Sequence, residues 1–484
     1  MLKRPGVAMS RHTIVRKYVS SYRSKLWIVL IAINLLIMFV HLFFVFTNKD
    51  DQYKKQQRKQ PPSQPKITLQ NSLEGEEVGL EEKFGFLRTA QKELQEGTDT
   101  LKHGSRNLPG HVTQAFVHRG DDWDNLVSSW PVCLSTQASV DLLFWVGEHV
   151  KTWSGPVSVA VYVPDSDLYV AMKMIEMMLS CNAGVRKQVS FHLIYPARFP
   201  PKGVNIQDSR RLEFGCDQLE MYNEYLLSEM NGTLQSRVAM QHLLYPQNLL
   251  RNVARDSCKT DYVFTPDVDM ILVPGIDHHI KSFLNRADTK QCTRCAFVIP
   301  TYEISTEALQ NPVDKAELLW FLKNKMARRF HIKTFKPNQA NSHLKLWERS
   351  GKEPKGKKDK QNQVPGDSLM MEANGTLKVL YDITTWQNFW EPVYMAPADV
   401  PRFDERFVGY GCTRSSQVYE MHVSGFRWRM LNDAFLCHRG FQDKRARHLW
   451  SQINRNFKLY QDFKREVEAR YGVQLKKQKS SAEI

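Results

Sequence analysis

The sequence predicts an α/β fold built on a mostly parallel β-sheet. Two dense apolar runs, residues 157–163 and 189–195, flank residues 168–179, whose apolar side chains recur at helical spacing. A second amphipathic segment, residues 245–256, leads into a short apolar run at residues 261–264. Strands that alternate with helices in this way form βαβ units with right-handed crossovers, and therefore a parallel sheet.

The first predicted unit spans residues 157–195. Residues 157–163 (VSVAVYV) are rich in β-branched side chains, which favours a buried strand ending at Pro164. Residues 168–179 then predict the crossover helix. Residues 189–195 (VSFHLIY) predict the next strand, which Pro196 closes. Together these segments predict one βαβ unit.

The second predicted unit begins with a helix over residues 245–256. Pro246 suits a first turn, and one face carries four apolar residues, Leu249, Leu250, Val253 and Ala254. Residues 261–264 and 296–301 predict two further strands. Because parallel sheets bind ligands at the carboxyl ends of their strands, the residues after 264 are the first candidates for a site.

Composition and charge exclude several classes of protein. The chain has 484 residues, with 67 Lys+Arg against 51 Asp+Glu and a net charge of +16. A content of 42% hydrophobic and 11% aromatic residues is enough for a large core, so wholesale disorder is excluded. The excess cations lie in the termini, beside an apolar segment and in residues 352–360. No basic strip interleaved with aromatic residues is visible, so we expect no nucleic-acid partner.

Residues 26–46 predict a transmembrane signal-anchor. They carry no charged side chain, and as a helix they would span the roughly 30 Å of a bilayer core. Residues 1–25 contain seven basic residues and no acidic one, which predicts a cytoplasmic tail. The alternative, a buried core helix, is disfavoured by this length and position. The sequence therefore predicts a single-pass type II membrane protein with a lumenal catalytic part.

The rest of the chain divides by composition. Residues 47–110 are polar and poor in aromatic residues, which predicts a flexible stem. Residues 111–475 carry the apolar runs and predict the catalytic domain, and residues 476–484 form a basic tail.

A lumenal location of the catalytic part would allow its sequons to be glycosylated and its cysteines to pair. Asn231 and Asn374 each begin an Asn-Gly-Thr sequon and are candidate glycosylation sites. Eight cysteines would lie in an oxidising compartment, where pairing is allowed. Cys292 and Cys295 form a lone CxxC without a second pair at metal spacing. They predict a local disulfide or unpaired core thiols rather than a zinc site.

The sharpest candidate site is the triplet Asp267-Val268-Asp269. It directly follows the strand at residues 261–264, where a parallel sheet places its ligands. Two carboxylates separated by one residue can both reach a hard divalent cation, and Mn²⁺ or Mg²⁺ bridges readily to diphosphate oxygens. By itself the triplet is more typical of a solvated turn than of a metal site. Its position after a strand, the apolar residue at its centre and the predicted lumenal address favour a metal site.

Three blocks of the sequence resemble glycosyltransferase family 49. They are YPQNLLRNVARDSCKTDYVFTPDVDMILVPG (residues 245–275), FDERFVGYG (residues 403–411) and NDAFLCHRG (residues 432–440). The resemblance implies a GT-A fold, in which a Rossmann-like nucleotide-binding half joins an acceptor half. It implies an inverting, metal-dependent transfer from a UDP-sugar. By position, it also implies that Asp267, Asp269 and His438 are the metal ligands.

Inversion requires a carboxylate that deprotonates the acceptor hydroxyl. Asp404 is the first candidate, its neighbour Glu405 the second, and Glu303, after the strand at residues 296–301, the third. Each could equally be an ordinary surface charge. Arg251 and Asn252 precede the triplet strand and are candidate donor-binding residues, since arginine suits phosphate or carboxylate; a helix-surface role is the alternative.

One aromatic cluster could contribute to acceptor binding. It consists of Trp386, Phe389, Trp390 and Tyr394. Such rings could stack on an acceptor sugar, and core packing explains their spacing as well.

The resemblance implies a Golgi membrane enzyme that transfers glucuronic acid from UDP-glucuronate to a xylose-terminated glycan on a glycoprotein. Other glycosyltransferases are expected as partners. A xylosyl- or N-acetylglucosaminyl-transferase on the same scaffold is one alternative. A catalytically dead lumenal glycan-binding protein is another, although both carboxylates of the triplet are present.

Overall fold

The structure is a computed structural model that describes residues 108–201, 214–231, 243–350, 376–443 and 449–473. All of these residues belong to one compact unit, Thr98–Ile484. The predicted tail, anchor and basic C-terminus, and nearly all of the predicted stem, lie outside the described residues, as does Asn374. Within the described ranges, no helix combines the length and the apolar character needed to cross a membrane.

The described residues form two β-sheets surrounded by helices. In chain order, the strands are β1 (His111–His118), β2 (Val132–Ser139), β3 (Val157–Tyr162), β4 (Val189–Pro196), β5 (Tyr262–Phe264), β6 (Met270–Leu272), β7 (Cys295–Ile299), β8 (Thr301–Ile304), β9 (Ala327–Arg329), β10 (Val379–Ile383), β11 (Val393–Pro397), β12 (Arg427–Leu431) and β13 (Leu436–Arg439). The helices are α1 (Trp123–Ser129), α2 (Val146–Thr152), α3 (Asp167–Cys181), α4 (Ala183–Gln188), α5 (Leu219–Asn231), α6 (Gln247–Asp256), α7 (Ile276–Asn285), α8 (Ala287–Lys290), α9 (Lys315–Lys323), α10 (Pro337–Ala340), α11 (Leu344–Arg349), α12 (Thr413–Val423) and α13 (Trp450–Tyr471). A 3₁₀ helix, Val140–Trp145, follows β2.

The larger sheet is mixed, which corrects the prediction of a mostly parallel sheet. Its strand order is β1-β4-β3-β2-β5-β11-β7-β12-β10. The block β4-β3-β2-β5 is parallel, as predicted. Beyond it, β11 lies antiparallel between β5 and β7, and β1 and β10 pair antiparallel at the two edges. The parallel block places the carboxyl ends of β2 and β5 side by side, where a ligand would bind.

The predicted βαβ unit is confirmed as β3-α3-β4. Every residue of β3 and β4 is buried, which explains their continuous β-branched and aromatic composition. Helix α6 packs against β2 and β3, and its Leu250 and Ala254 join the core cluster around Ala160 and Ile194. Its opposite face is also buried but polar, because it faces the residues that follow β11 and β5.

The smaller sheet has the order β6-β13-β8-β9. It begins directly after the Asp267-Val268-Asp269 triplet, so the triplet connects the two sheets. In this sheet His438 is paired with Met270 on one side and Glu303 on the other. Three segments that are far apart in the chain therefore meet beside the triplet.

Disulfides link several segments of the described chain. Cys292 and Cys295 are bonded to each other, so the local disulfide is confirmed. Two longer bridges, Cys133–Cys258 and Cys181–Cys216, join distant segments.

The aromatic cluster predicted for acceptor binding is largely core instead. Trp390 is fully buried and Tyr394 is nearly so, while Trp386 and Phe389 are partly buried against a core cluster that includes Tyr460. These rings therefore pack the interior, where their burial contributes to stability.

Candidate active site

Side chains that contact the backbone carbonyls of Pro266 and Val268 hold the Asp267-Val268-Asp269 triplet in place. The hydroxyl of Thr136 on β2 donates to the carbonyl of Pro266 at 3.0 Å. The buried His149 on α2 lies with Nε2 2.9 Å from the carbonyl of Val268. The Val268 side chain is 2% exposed, whereas the carboxylates of Asp267 and Asp269 are 25% and 26% exposed. The buried valine thus turns both carboxylates toward the surface.

Asp267 is fixed by three donors on the same oxygen. Its Oδ1 accepts hydrogen bonds from Arg251 at 2.8 Å, Arg414 at 3.0 Å and Gln137 at 2.7 Å. Burial alone would raise the pKa of Asp267, but the positive charges of Arg251 and then Arg414 outweigh it and hold the pKa well below its usual range. Asp267 is therefore ionised, and its Oδ2 makes no hydrogen bond within the described part of the chain.

Asp269 lies against His438. Nε2 of His438 is 3.3 Å from Oδ2 of Asp269, and its Nδ1 is 3.3 Å from the carbonyl of Gly440. Burial would lower the pKa of His438, but the hydrogen bond and charge of Asp269 outweigh it and raise the pKa. The contact with Asp269 places a proton on Nε2. A divalent cation would take the place of that proton while Nδ1 donates to the Gly440 carbonyl, which is the usual arrangement of a metal-binding histidine.

The three predicted metal ligands are not assembled into one cluster. Among the residues that the structure describes, no group of three His, Cys, Asp or Glu side chains converges as a metal site would require. Asp269 and His438 form a pair, while Asp267 turns one oxygen toward the arginines. The donor set still fits a divalent cation, because it offers an ionised carboxylate oxygen without a hydrogen bond, a second carboxylate and an imidazole.

Glu303 does not occupy the position of a base. Its side chain is fully buried, and Oε2 accepts a hydrogen bond from Arg328 at 2.5 Å. Its Oε1 accepts from the backbone N–H of His331 at 2.8 Å. A carboxylate held on both oxygens away from solvent cannot receive an acceptor proton without losing these contacts. Its geometry instead supports a role in fixing the segment after β9.

Asp404 and Glu405 also occupy structural positions. The Asp404 side chain has no exposed surface and forms a forked ion pair with Arg406, whose second partner is Glu466. Glu405 accepts from Asn252 and from the backbone N–H of Leu108, both at 2.9 Å. These contacts favour a positioning role for both residues over the predicted role of base.

Arg251 and Asn252 lie beneath the site rather than at its surface. Arg251 is 1% exposed, and its guanidinium binds Asp267 and Asn248. Asn252 is fully buried; its amide donates to the Phe403 carbonyl and to Glu405, and accepts the Phe403 N–H. Neither side chain can touch a donor directly in this arrangement. Arg251 acts on the site through Asp267.

Sequence reasoning missed several residues that shape the site. Gln137, His149 and Arg414 hold the triplet, and Arg414 also donates to the carbonyl of Thr265 at 2.8 Å. Nothing in their local sequence sets them apart. Only their positions on β2, α2 and α12 bring them together.

Tyr410 is a further residue that the sequence did not single out. It is 60% exposed, and partial burial together with the charges of Asp141 and Asp269 raises its pKa. Gly409 and Gly411 both have positive φ, and a Cβ at Gly409 would overlap the amide oxygen of Gln452. The two glycines thus allow α13 to pack closely against this segment. The segment in turn holds the exposed ring of Tyr410 near the carboxylates.

Comparisons with known proteins identify the family of this chain. Residues 131–472 match a family of glycosyltransferases described as "Glycosyl-transferase for dystroglycan". Beta-1,4-glucuronyltransferase 1 from Bos taurus is 30% identical over 343 residues, which cover 70% of this chain and 76% of that protein. The xylosyl- and glucuronyltransferase LARGE2s from Gallus gallus is 24% identical over 73% of this chain, but only 37% of its own length is covered.

The similarity to solved structures is weaker than the similarity to these relatives in sequence. Residues 1–349 of S. aureus TarS in complex with UDP superpose with a TM-score of 0.31 and 8% identity over 70% of each chain, which is too low to support an argument. The family match spans both sheets except β1, and it includes every residue that holds the triplet. The chain therefore belongs to glycosyltransferase family 49 and is a UDP-sugar-dependent glycosyltransferase.

Proposed function

We propose that this enzyme has a GT-A fold and transfers glucuronic acid from UDP-glucuronate to a xylose-terminated glycan, with inversion and with Mn²⁺ or Mg²⁺. The names of its relatives, which are glucuronyltransferases, support the choice of sugar. The observation that carries the chemistry is the triplet at the carboxyl end of β5, with Asp269 against His438 and Asp267 locked by two buried arginines.

Asp269, His438 and Oδ2 of Asp267 would hold the divalent cation. When bound, it would neutralise charge on the departing diphosphate. Arg251 and Arg414 keep Asp267 ionised and fixed, so this carboxylate is available without rearrangement.

The transfer forms one bond and breaks one. The acceptor oxygen bonds to the anomeric carbon, the bond from that carbon to the phosphate oxygen breaks, and UDP leaves with the electron pair. The hydroxyl proton must go to a base. The buried positions of Asp404, Glu405 and Glu303 leave that role to another group. Tyr410 is placed to contact a sugar at the exposed edge of the site.

A panel of UDP-sugars tests this proposal. The detergent-solubilised chain is incubated with UDP-glucuronate, UDP-xylose or UDP-N-acetylglucosamine, and with xyloside or lactosamine acceptors. We expect glucuronate transfer to the xyloside and its loss with EDTA. Transfer of xylose or N-acetylglucosamine instead would favour one of the two alternative activities. No turnover with any donor would favour a glycan-binding protein.

We also propose that the enzyme is a type II protein of the Golgi membrane, anchored by residues 26–46. The support is the uncharged apolar segment with basic residues before it. Carbonate extraction of membranes should leave the full chain in the pellet and a chain without residues 1–46 in the supernatant. Release of the full chain by carbonate would contradict the anchor.

A further inference from the structure

The segment that follows β13 turns back toward the candidate metal site. We call residues 440–443 the return segment. It begins at Gly440, whose φ of 92° suits a sharp turn and whose N–H donates to the carbonyl of Ile304 at 2.7 Å. Two residues later, the partly buried side-chain amide of Gln442 lies with its Nε2 3.1 Å from Nε2 of His438. The return segment therefore places a polar group on the ring nitrogen of a predicted metal ligand.

A buried carboxylate fixes the return segment. The backbone N–H of Gln442 donates to Oε2 of Glu303 at 3.2 Å. The same oxygen accepts from Arg328 at 2.5 Å, and a second nitrogen of Arg328 donates to Asp443 at 2.6 Å. In the small sheet Glu303 is also paired with His438. The backbone of Gln442 is thus held close to His438, and only its side-chain torsions remain to place the amide.

Three side chains meet at this ring nitrogen. Oδ2 of Asp269 is 3.3 Å from Nε2 of His438, and the amide of Gln442 is 3.1 Å from the same atom. Among the residues that the structure describes, His438 is the one hydrogen-bond partner of that amide. A carboxylate, an imidazole and an amide oxygen can all bind a divalent cation such as Mn²⁺.

The chemistry of this nitrogen decides which atom of the amide faces it. An amide has an N–H₂ donor and an oxygen acceptor, and a half-turn of its last torsion exchanges them without changing the shape of the side chain. The N–H₂ group of Gln442 can bond neither an imidazole N–H nor a cation bound at Nε2, because all of these carry positive charge on the facing atom. Its oxygen can bond either of them. A cation bound to His438 would therefore draw Oε1 of Gln442 toward itself.

We propose that Oε1 of Gln442 is a further ligand of the divalent cation at the candidate metal site. The proposal rests on the metal-dependent transfer proposed above. Mn²⁺ and Mg²⁺ favour octahedral sites of about six ligands. Together with Asp267, Asp269 and His438, Gln442 gives four protein ligands, which leaves two positions for oxygens of the departing diphosphate. The amide is neutral, so it holds the cation without repelling that anion.

A role in bracing the imidazole alone would have the opposite consequence. A hydrogen bond between Gln442 and Nε2 of His438 exists only while no cation occupies that nitrogen. It stabilises the metal-free state and therefore opposes metal binding. Removal of such a brace would tighten Mn²⁺ binding or leave it unchanged, whereas removal of a ligand weakens it. The sign of the change distinguishes the two roles.

The test measures Mn²⁺ binding to the metal-free, detergent-solubilised full chain. Free Mn²⁺ is followed by its electron paramagnetic resonance signal in the presence of UDP, with the Mn²⁺ that UDP alone binds subtracted, so no turnover is needed. Gln442→Leu removes the oxygen at similar size, and Gln442→Glu keeps an oxygen and adds a negative charge. Gln291→Leu, at an exposed glutamine directly after α8, is the matched control, and Asp269→Asn is the reference for a lost ligand. Equal melting temperatures verify that the variants fold.

The dissociation constant for Mn²⁺ reports the role of the amide. We expect Gln442→Leu to raise it about tenfold, because one ligand is lost. Gln442→Glu should bring it to the wild-type value or below, because the oxygen is present again and carries charge. Gln291→Leu should leave it unchanged. The proposal is overturned by an unchanged or lower constant in Gln442→Leu, by an equal increase in Gln291→Leu, or by a Gln442→Glu variant that binds as weakly as Gln442→Leu.

The same titrations separate this proposal from the proposed function. If the wild-type chain binds Mn²⁺, Asp269→Asn does not, and Gln442→Leu binds as the wild type does, the metal-dependent function stands and the added ligand is rejected. If Gln442→Leu binds more weakly as expected but no UDP-sugar is transferred by the wild-type chain, the ligand stands and the transfer function is rejected. A wild-type chain that binds no Mn²⁺ in the presence of UDP rejects both.

Discussion

The side chain of Asp267 shows what local sequence can and cannot predict. Its position after a strand marked it as a site residue, and the structure places it at the predicted sheet edge. Its partners could not be predicted, because Gln137 and Arg414 are 130 and 147 residues away in the chain. Only the pairing of β2 with β5 and the packing of α12 bring them to one oxygen.

The contacts of Asp267 predict that Asp267→Asn destabilises the fold. The substitution removes the countercharge of two arginines that are almost fully buried, which costs on the order of 3 kcal/mol. Chemical denaturation monitored by tryptophan fluorescence measures the effect. Asp269→Asn is the matched control, since Asp269 has no arginine partner among the described residues, and it should change the free energy of unfolding far less. Equal stability of the two variants would contradict this role of Asp267.

Among the elements, the strands around β4 contain a buried titratable group. Nδ1 of His192 accepts the N–H of Phe116 on β1, and its Nε2 pairs with Ser158 on β3. Burial lowers the pKa of His192 to about 4. Between pH 6.5 and 4 the unfolded chain therefore binds a proton that the folded chain does not, and stability falls as the pH falls.

The fall over that interval should reach roughly 3 kcal/mol from His192. Urea denaturation between pH 7 and 4 measures it. Because burial also lowers the pKa of His149 to about 4, we expect His192→Gln to reduce this dependence by about half, and His278→Gln, at an exposed position, to leave it unchanged. A slope that is not reduced in His192→Gln would show that other groups cause it.

Helix α6 was predicted from its apolar face, and that face is confirmed. The sequence also suggested that Asn252 binds the donor, but the residue lies inside the protein and bonds the segment after β11. Sequence patterning shows which residues a helix buries among apolar neighbours. It does not show that a polar face is covered by a segment 150 residues away.

Asn252→Ala should therefore act on stability. The loss of three buried hydrogen bonds predicts a decrease of about 3 kcal/mol in the free energy of unfolding. Thermal and chemical denaturation measure it, with the exposed Asn454→Ala on α13 as the control. An unchanged stability together with a raised KM for the UDP-sugar would restore the donor-binding role.

At the scale of the whole molecule, the parallel block was predictable and the rest of the large sheet was not. Strands β3 and β4 are long, fully buried and separated by one helix, so their pairing follows from local pattern. Strand β11 inserts antiparallel between β5 and β7, although it follows them by about a hundred residues. The strands of the small sheet have only three or four residues each, too few for a clear alternation.

The two sheets together create the candidate metal site. The triplet leaves one sheet and enters the other, so Asp269 meets His438 only when both are formed. We propose that this pair, with Asp267, holds a divalent cation under the diphosphate of the donor. Asp269 is the best residue to test, because its substitution should disturb the fold least.

The decisive measurement is the initial rate of glucuronate transfer from UDP-glucuronate to a xyloside, with Mn²⁺ titrated into metal-free enzyme, for the wild-type chain and for Asp269→Asn. We predict a saturable dependence on Mn²⁺ for the wild-type chain. Asp269→Asn should fold normally and lose at least about a hundredfold in rate at every Mn²⁺ concentration. A folded Asp269→Asn enzyme with the wild-type rate and Mn²⁺ response would contradict the account.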